Sequence, residues 1–422
     1  MKPCRIPGAA VLALFVSLFG HAAVAQESLN QATVSGRVTD PQGAVVPGAT
    51  VTARQTETNL TAEAITDAEG RFRFPLLKIG PYEFTARLQG FAPTVRPVAL
   101  TVGSAFELSM PLSVEGLTTT VSVTAASTVI EAARSQIAGT ITQTEVASLP
   151  MNGRNFLDLA LLVPGVSPPN ISSTQLFAET SAVPGVGISI GSQRNFSNGF
   201  IVDGLSANDD AAGLSGMPFG VDAVEQFQVV TSGGQAELGR ALGGYVNVVT
   251  KSGTNVARGN LYGYFRDDTF NARNALSGTK LPMSQQQYGA SLGGPILKNR
   301  TFYFANVEQR NLDQTGLTTV TADDVGAINT QLTAVGYPGQ LVTTGVYPNP
   351  VKSTNVLGKV DHQFNRRDQF AVRYSLYDIT SRNARGAGGL SAPSASSGLD
   401  NFDQTIAISN TLTLSPFASG SL

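Results

Sequence analysis

Val224-Glu225-Gln226-Phe227-Gln228-Val229-Val230, closed by Thr231-Ser232-Gly233-Gly234, is followed by Gly243-Gly244-Tyr245-Val246-Asn247-Val248-Val249-Thr250 and the turn Lys251-Ser252-Gly253. Two β-prone runs, each bounded by glycine turns, read as two strands. Upstream, Leu149 to Leu159 is a turn feeding a short helix, and Phe200-Ile201-Val202-Asp203-Gly204 is a strand ending in a turn. Downstream of about residue 256 the pattern changes to strands with one apolar and one polar face. Phe370, Val372, Tyr374 and Leu376 face one way, and Ala371, Arg373, Ser375 and Tyr377 the other. Ile406, Ile408, Leu412 and Leu414 repeat that pattern, and 260–266, 287–293, 301–310 and 356–364 behave similarly. About six such strands joined by loops of uneven length suit a soluble sandwich with one wet face or, as expected here, an outer-membrane barrel. Tyr262, Tyr264, Phe302, Tyr303 and Phe304 are expected in its interfacial girdle.

The composition agrees with many short strands. The chain has 422 residues, 42% hydrophobic and only 14% charged, with 44 glycines and 22 prolines. Its formal net charge of −2 gives no electrostatic footprint for nucleic acid. Lys2 and Arg5, the apolar run 9–19 and Ala23-Val24-Ala25 read as a signal peptide over 1–25, with Gln26 as the mature start. The single cysteine, Cys4, lies inside it, so the mature chain is expected to hold no disulfide, thiolate metal site or cysteine nucleophile. No later apolar run is long enough for a transmembrane helix.

Residues 32–115 read as about seven short strands of a β-sandwich, with turns at Asp40-Pro41-Gln42-Gly43, Asp67-Ala68-Glu69-Gly70 and Gly80-Pro81. Gly36-Arg37-Val38-Thr39-Asp40, Pro47-Gly48-Ala49-Thr50-Val51, Thr66 to Phe72 and Gly90-Phe91 resemble the carboxypeptidase regulatory-like domain, which is not a peptidase. Residues 116–130 form a linker. Within it the nearly uncharged strip Thr118, Thr119, Thr120, Val121, Ser122, Val123, Thr124 and Ala125 could donate a strand to another protein's sheet edge.

The motifs over 131–255 look like the plug domain of TonB-dependent outer-membrane receptors. The pairing of the 152–159 segment NGRNFLDL with the 224–255 stretch is similar to the Oar-like branch, which also carries the N-terminal sandwich. The resemblance implies a mainly β protein: a β-sandwich in the periplasm, an α+β plug, and the start of a transmembrane β-barrel over 256–422. It implies energy-coupled uptake of a large or scarce solute, carbohydrate or siderophore among the classes open, with no cofactor. It makes Thr118–Ala125 the TonB box. The implied partners are TonB with its inner-membrane energising complex, outer-membrane lipid and an extracellular solute. A non-transporting adhesin or signalling receptor on the same scaffold is the alternative. The plug-to-barrel lock of the family carries over only to Arg194, Glu225 and Arg240, because Gln228 stands where many plugs have Glu and Asn195 follows Arg194. About six strands cannot enclose a plug, for which roughly 22 are needed, so the sequence is expected to be an N-terminal fragment.

Catalytic and metal sites are not expected. Gly187-Ile188-Ser189-Ile190-Gly191 matches a nucleophile-elbow pattern but sits in a Gly/Ser-rich stretch, and the one mature histidine, His362, is on a barrel strand. Asn208-Asp209-Asp210 reads as solvated loop acids rather than a cation site.

Overall fold

The computed structural model describes residues 30–114, 136–151, 153–168, 187–209, 215–216, 219–234, 238–239, 241–273, 278, 280–415 and 418–421. The signal peptide, Thr118–Ala125, Asp210 and Arg240 lie outside the described residues.

Period-two alternation builds the first unit. Its strands are β1 (Gln31–Thr39), β2 (Thr50–Gln55), β3 (Thr61–Ile65), β4 (Arg71–Lys78), β5 (Gly80–Arg87), β6 (Thr94–Leu100) and β7 (Ala105–Pro111). They form two sheets, β4-β1-β7 and β3-β2-β5-β6. In β5, Tyr82, Phe84 and Ala86 are buried while the residues between them are not, as a strand with one covered face requires. Val34, Val51, Phe74, Phe84 and Met110 fill the space between the sheets, and the Phe74 and Phe84 rings meet at 5.9 Å. Asp67 fixes one hairpin turn by accepting the Glu69 and Arg71 N–H groups on one carboxylate oxygen. Gly36 permits the closest approach: a Cβ there would lie 2.0 Å from the Leu108 carbonyl oxygen and 2.6 Å from the Phe72 ring.

The second unit is a sheet in the order β8 (Ile137–Ile141), β10 (Val224–Ser232), β11 (Tyr245–Thr250), β9 (Gly199–Val202), with Leu205–Ser206 outside β9. Helix α1 (Gln143–Ser148) begins in a capping box between Thr142 and Glu145. A 3₁₀ turn at Phe156–Leu162 lays Phe156 edge-on against Phe227, with ring centroids 5.4 Å apart.

The third unit is an antiparallel meander: β12 (Arg258–Asp267), β13 (Met283–Leu297), β14 (Thr301–Thr318), β15 (Val351–Asn365), β16 (Asp368–Arg385), β17 (Ser397–Ser415) and β18 (Ala418–Ser421). Helix α2 (Ala322–Ala334) lies in the β14–β15 connection, and Gly345–Pro348 pairs with the far end of β14. Phe402, Ile406 and Ile408 point outward and are exposed, whereas Ala407 is buried. The inward residues Phe304, Leu312, Val351, Leu357, Tyr377 and Ile379 share one core with Phe227, Val229 and Val246 of the second unit. Thus the small sheet packs against the inward face of the large one. Connections 298–300 and 366–367 at one end are short; 268–282, 319–350 and 386–396 at the other are long.

The aromatic girdle needs correction. Phe302 and Phe304 are buried inward, and Tyr262 and Tyr264 face the plug. Only Tyr303 of the five points away from it. The pleat explains this, because adjacent residues 302–304 cannot share a face.

If Gly36 is held by the space around it, Gly36→Ala in a 30–114 segment should lower unfolding free energy by about 1–3 kcal/mol. Urea denaturation followed by far-UV circular dichroism checks this; an unchanged midpoint would contradict it.

Candidate functional site: where plug and barrel wall meet

Asp203-Gly204 is the two-residue loop between β9 and Leu205–Ser206, with Val202 opposite Leu205. Both loop residues have positive φ, 50° and 85°, as an Asp-Gly type I′ hairpin turn demands. The turn aims the Asp203 carboxylate at the barrel wall. There Arg373 Nη1 donates to Oδ2 at 2.7 Å and Lys359 Nζ reaches Oδ1 at 3.4 Å. Thr250 of the plug completes the shell, donating its N–H to Oδ1 at 2.9 Å and its hydroxyl to Oδ2 at 2.7 Å. Lys359 also donates to the Thr250 carbonyl and hydroxyl, each at 3.1 Å. All three ionic side chains are about nine-tenths buried. Burial would raise the Asp203 carboxyl, but Lys359, Arg373 and the two Thr250 hydrogen bonds outweigh it and hold the group below the usual carboxylate range.

A second contact between plug and barrel wall is built around Arg154. Gly153 and Arg154 both take positive φ, 84° and 52°, just before the 3₁₀ turn. Arg154 pairs with Asp222 and stacks on Tyr264 and Tyr262, at 4.1 and 5.1 Å from the ring centroids. The Tyr262 hydroxyl donates to Glu308 at 2.9 Å, and Asn260 donates to Asp222 at 3.1 Å.

The sandwich joins at the end with the short connections. Lys78 Nζ bonds Asp361 Oδ1 of the barrel wall at 2.8 Å. Glu63 pairs with Arg366 at 2.5 Å, and Asn59 donates to Asn299 at 3.1 Å. Val102 bonds the plug through both backbone groups, donating to Gln226 Oε1 at 3.4 Å and accepting from Gln228 Nε2 at 3.1 Å. A cavity of about 590 Å³ opens where the three units meet, with Lys78, Glu57, Asp203, Glu225, Lys359 and Asp361 among its lining.

The residues singled out from sequence fall as follows. The Arg194 guanidinium lies 5.9 Å over the Phe196 ring. Glu225 sits at a bulge between β10 and β11. Burial raises its carboxyl, and neighbouring Glu57 adds to this, against the lowering effect of Lys251 and Lys359. Arg240 lies outside the described residues. Among the described residues the ion pairs between plug and barrel wall run through Asp203, while Arg154 reaches the wall by stacking on Tyr262 and Tyr264 and Asp222 by accepting from Asn260. Ser189 is in a short strand paired with Val166–Ser167 and donates to the Gln193 carbonyl at 2.7 Å. His362 Nδ1 meets the Thr301 hydroxyl at 2.8 Å on the barrel wall, on a different unit. Asn208 is a plug bracket, accepting from Phe200 N–H at 2.7 Å and donating to the Asn198 carbonyl at 2.9 Å. No group of three potential metal ligands occurs among the described residues.

Residues 33–113 match the carboxypeptidase regulatory-like domain, and residues 249–356 match an outer membrane beta barrel domain. The TonB-dependent transporter Oar of Myxococcus xanthus is 29% identical over 307 residues, covering 68% of this chain. The chain spans about a quarter of that relative's length, 27%. Among solved structures, the outer membrane transporter YddB of Escherichia coli matches at TM-score 0.46 and 16% identity, over 66% of this chain and 37% of that one. The ferric enterobactin receptor PfeA of Pseudomonas aeruginosa matches at TM-score 0.45 and 14% identity, over 66% and 39%. The matched barrel domain places the chain in the outer membrane, and the curated relative is similar to it over about two thirds of its residues.

The two carboxylates titrate with opposite effect. Asp203, held low, stabilises plug seating fully above the usual carboxylate range, and that contribution fades as pH falls through its lowered value. Glu225, held high, weakens seating at neutral pH, and acidification relieves this as it takes up a proton. Glu225→Gln should therefore stabilise the plug at pH 7 by roughly 1 kcal/mol, with the gain vanishing toward pH 4. Urea midpoints of the detergent-solubilised protein across pH check both signs. A gain that grows on acidification would contradict the assignment.

Proposed function

We propose that this chain, a TonB-dependent receptor by its domains and its relative, imports a solute across the outer membrane by energised displacement of its plug. The observation that supports this best is the seating of the plug sheet on the inner barrel wall. The two share one apolar core, and buried ion pairs at Asp203 hold them together. Apolar packing resists sliding over a broad area, whereas a single buried ionic point yields once its partners are pulled out of register. That arrangement suits a closure which must stay shut until force is applied.

In this reading the sandwich and the short connections face the periplasm, and the long connections, with α2, face outward to meet the solute. TonB would grip Thr118–Ala125, which joins sandwich to plug in sequence, by adding a strand edge-on. Arg194 and Arg240 would contribute to plug retention through charge, whereas Glu225, sequestered from water, opposes retention while ionised. The solute class stays open between carbohydrate and siderophore. The chain would work by binding and displacement, without bond chemistry of its own. The relatives named above are transporters and receptors.

Edge-on pairing rests on main-chain hydrogen bonds, each worth roughly 0.5–1.5 kcal/mol. Val123→Pro removes a donor and fixes φ, so it should abolish uptake driven by the proton gradient and capture by a purified TonB C-terminal domain. Surface abundance should stay near normal, and Val123→Thr should be nearly silent. Cells offered a panel of ferric siderophores and oligosaccharides provide the uptake readout. Accumulation that survives collapse of the gradient would overturn the proposal.

A further inference from the structure

The ion pairs at the plug and at the sandwich are not separate. Lys359 and Asp361 lie two residues apart on the inward face of β15, both buried. Lys359 turns to the plug carboxylate Asp203, and Asp361 receives Lys78 from the sandwich at 2.8 Å. The chain of charges therefore runs Lys78, Asp361, Lys359, Asp203, Arg373, through all three units. Three cations serve two carboxylates. With the sandwich docked, Lys78 neutralises Asp361 and leaves Lys359 for the plug. With it lifted away, buried Asp361 has lost a partner at hydrogen-bond distance, and Lys359 is the nearest cation on its own strand.

We infer that the sandwich is a removable brace: its docking holds Lys359 on the plug, and its departure turns Lys359 toward Asp361 and loosens the plug before it moves. The inference rests on the proposed transport function only for its use in the cell; the coupling itself is a property of the resting protein.

A second observation points the same way. Gln228 of the plug is buried and donates its amide to the Val102 carbonyl, while Gln226 accepts from the Val102 N–H. The two side chains grip one sandwich residue from both sides. A glutamate at 228, as the family resemblance leads one to expect, could not donate to that carbonyl when ionised. Gly103 has φ of 62°, and a Cβ there would stand 2.6 Å from the Gln228 side-chain oxygen. The contact is thus close and directional, unlike the exposed Glu63–Arg366 and Glu57–Arg258 pairs at the rim.

The Thr250 amide reports the state of the plug, because its hydrogen is held by Asp203 Oδ1. Hydrogen exchange of the β11 peptide is measured on the protein in detergent micelles. Lys78→Ala should speed exchange at Thr250 by about tenfold, within the ~5–150-fold range of ordinary inter-site coupling. Lys78→Arg should restore the slow rate. Arg54→Ala, which breaks an exposed pair within the sandwich, should leave Thr250 unchanged. Exchange across β5 checks that the sandwich itself stays folded. Unchanged Thr250 exchange in Lys78→Ala, with a folded sandwich, overturns the inference.

In cells, a short bismaleimide joining Glu63→Cys to Arg366→Cys should hold the brace down. It is expected to abolish energised uptake of whichever panel solute the parent accumulates, while single-cysteine controls transport normally. Uptake equal to that of the controls also overturns the inference. Absence of energised uptake in the parent itself counts against the proposed function, and the Thr250 result then decides the coupling alone.

Discussion

A carboxylate buried between two separately folded sheets must find its counter-charges where both sheets meet, or the sheets cannot meet there. Asp203 is that group. Its turn belongs to the plug, its cations Lys359 and Arg373 to two neighbouring barrel strands, and its hydrogen-bond donors to Thr250 on β11. Taking such charges out of water costs several kcal/mol per ion before their attraction repays it. The net stabilisation is therefore modest, but the cost of a misplaced register is large. The apolar core shared by plug and wall supplies adhesion without direction, and Asp203 supplies the direction.

The same reasoning separates the three sets of inter-unit contacts by role. Arg154, stacked on Tyr262 and Tyr264 and paired with Asp222, ties the plug to the first barrel strand through its planar guanidinium. The rim pairs of the sandwich are exposed and worth little individually. Lys78–Asp361 differs because its acid is buried and lies beside Lys359. Position on one strand face thus makes neighbours of charges that belong to three units.

Much of the architecture was legible in the sequence because alternation with period two announces a strand with two environments. The barrel strands at 370–377 and 406–414 were read that way. Asp203-Gly204 was legible as a turn but not as the plug's ionic anchor. Its partners lie more than 150 residues downstream, and alternation places Lys359 and Arg373 on an inward face without saying which plug residue awaits them. Arg194 and Glu225 were chosen on a family pattern; Arg194 lies over Phe196, and Glu225 occupies a bulge whose geometry a linear pattern does not encode. The aromatic assignment failed for a reason visible in hindsight: Phe302 and Phe304 share a parity with Asn306 and Glu308, which face the plug. Gln228 was read as a departure from the family, and its role became visible only when the sandwich was seen docked on it.

The central claim is that Asp203 and Lys359 act as one unit in seating the plug. A double-mutant cycle tests it most directly, using Asp203→Ala, Lys359→Ala and the pair, with plug unfolding in urea as the readout. The account predicts that either single change costs about 3–5 kcal/mol, because it strands a buried charge, and that the double change costs clearly less than the sum. Additive losses would show that the two residues do not depend on each other, and would contradict the account.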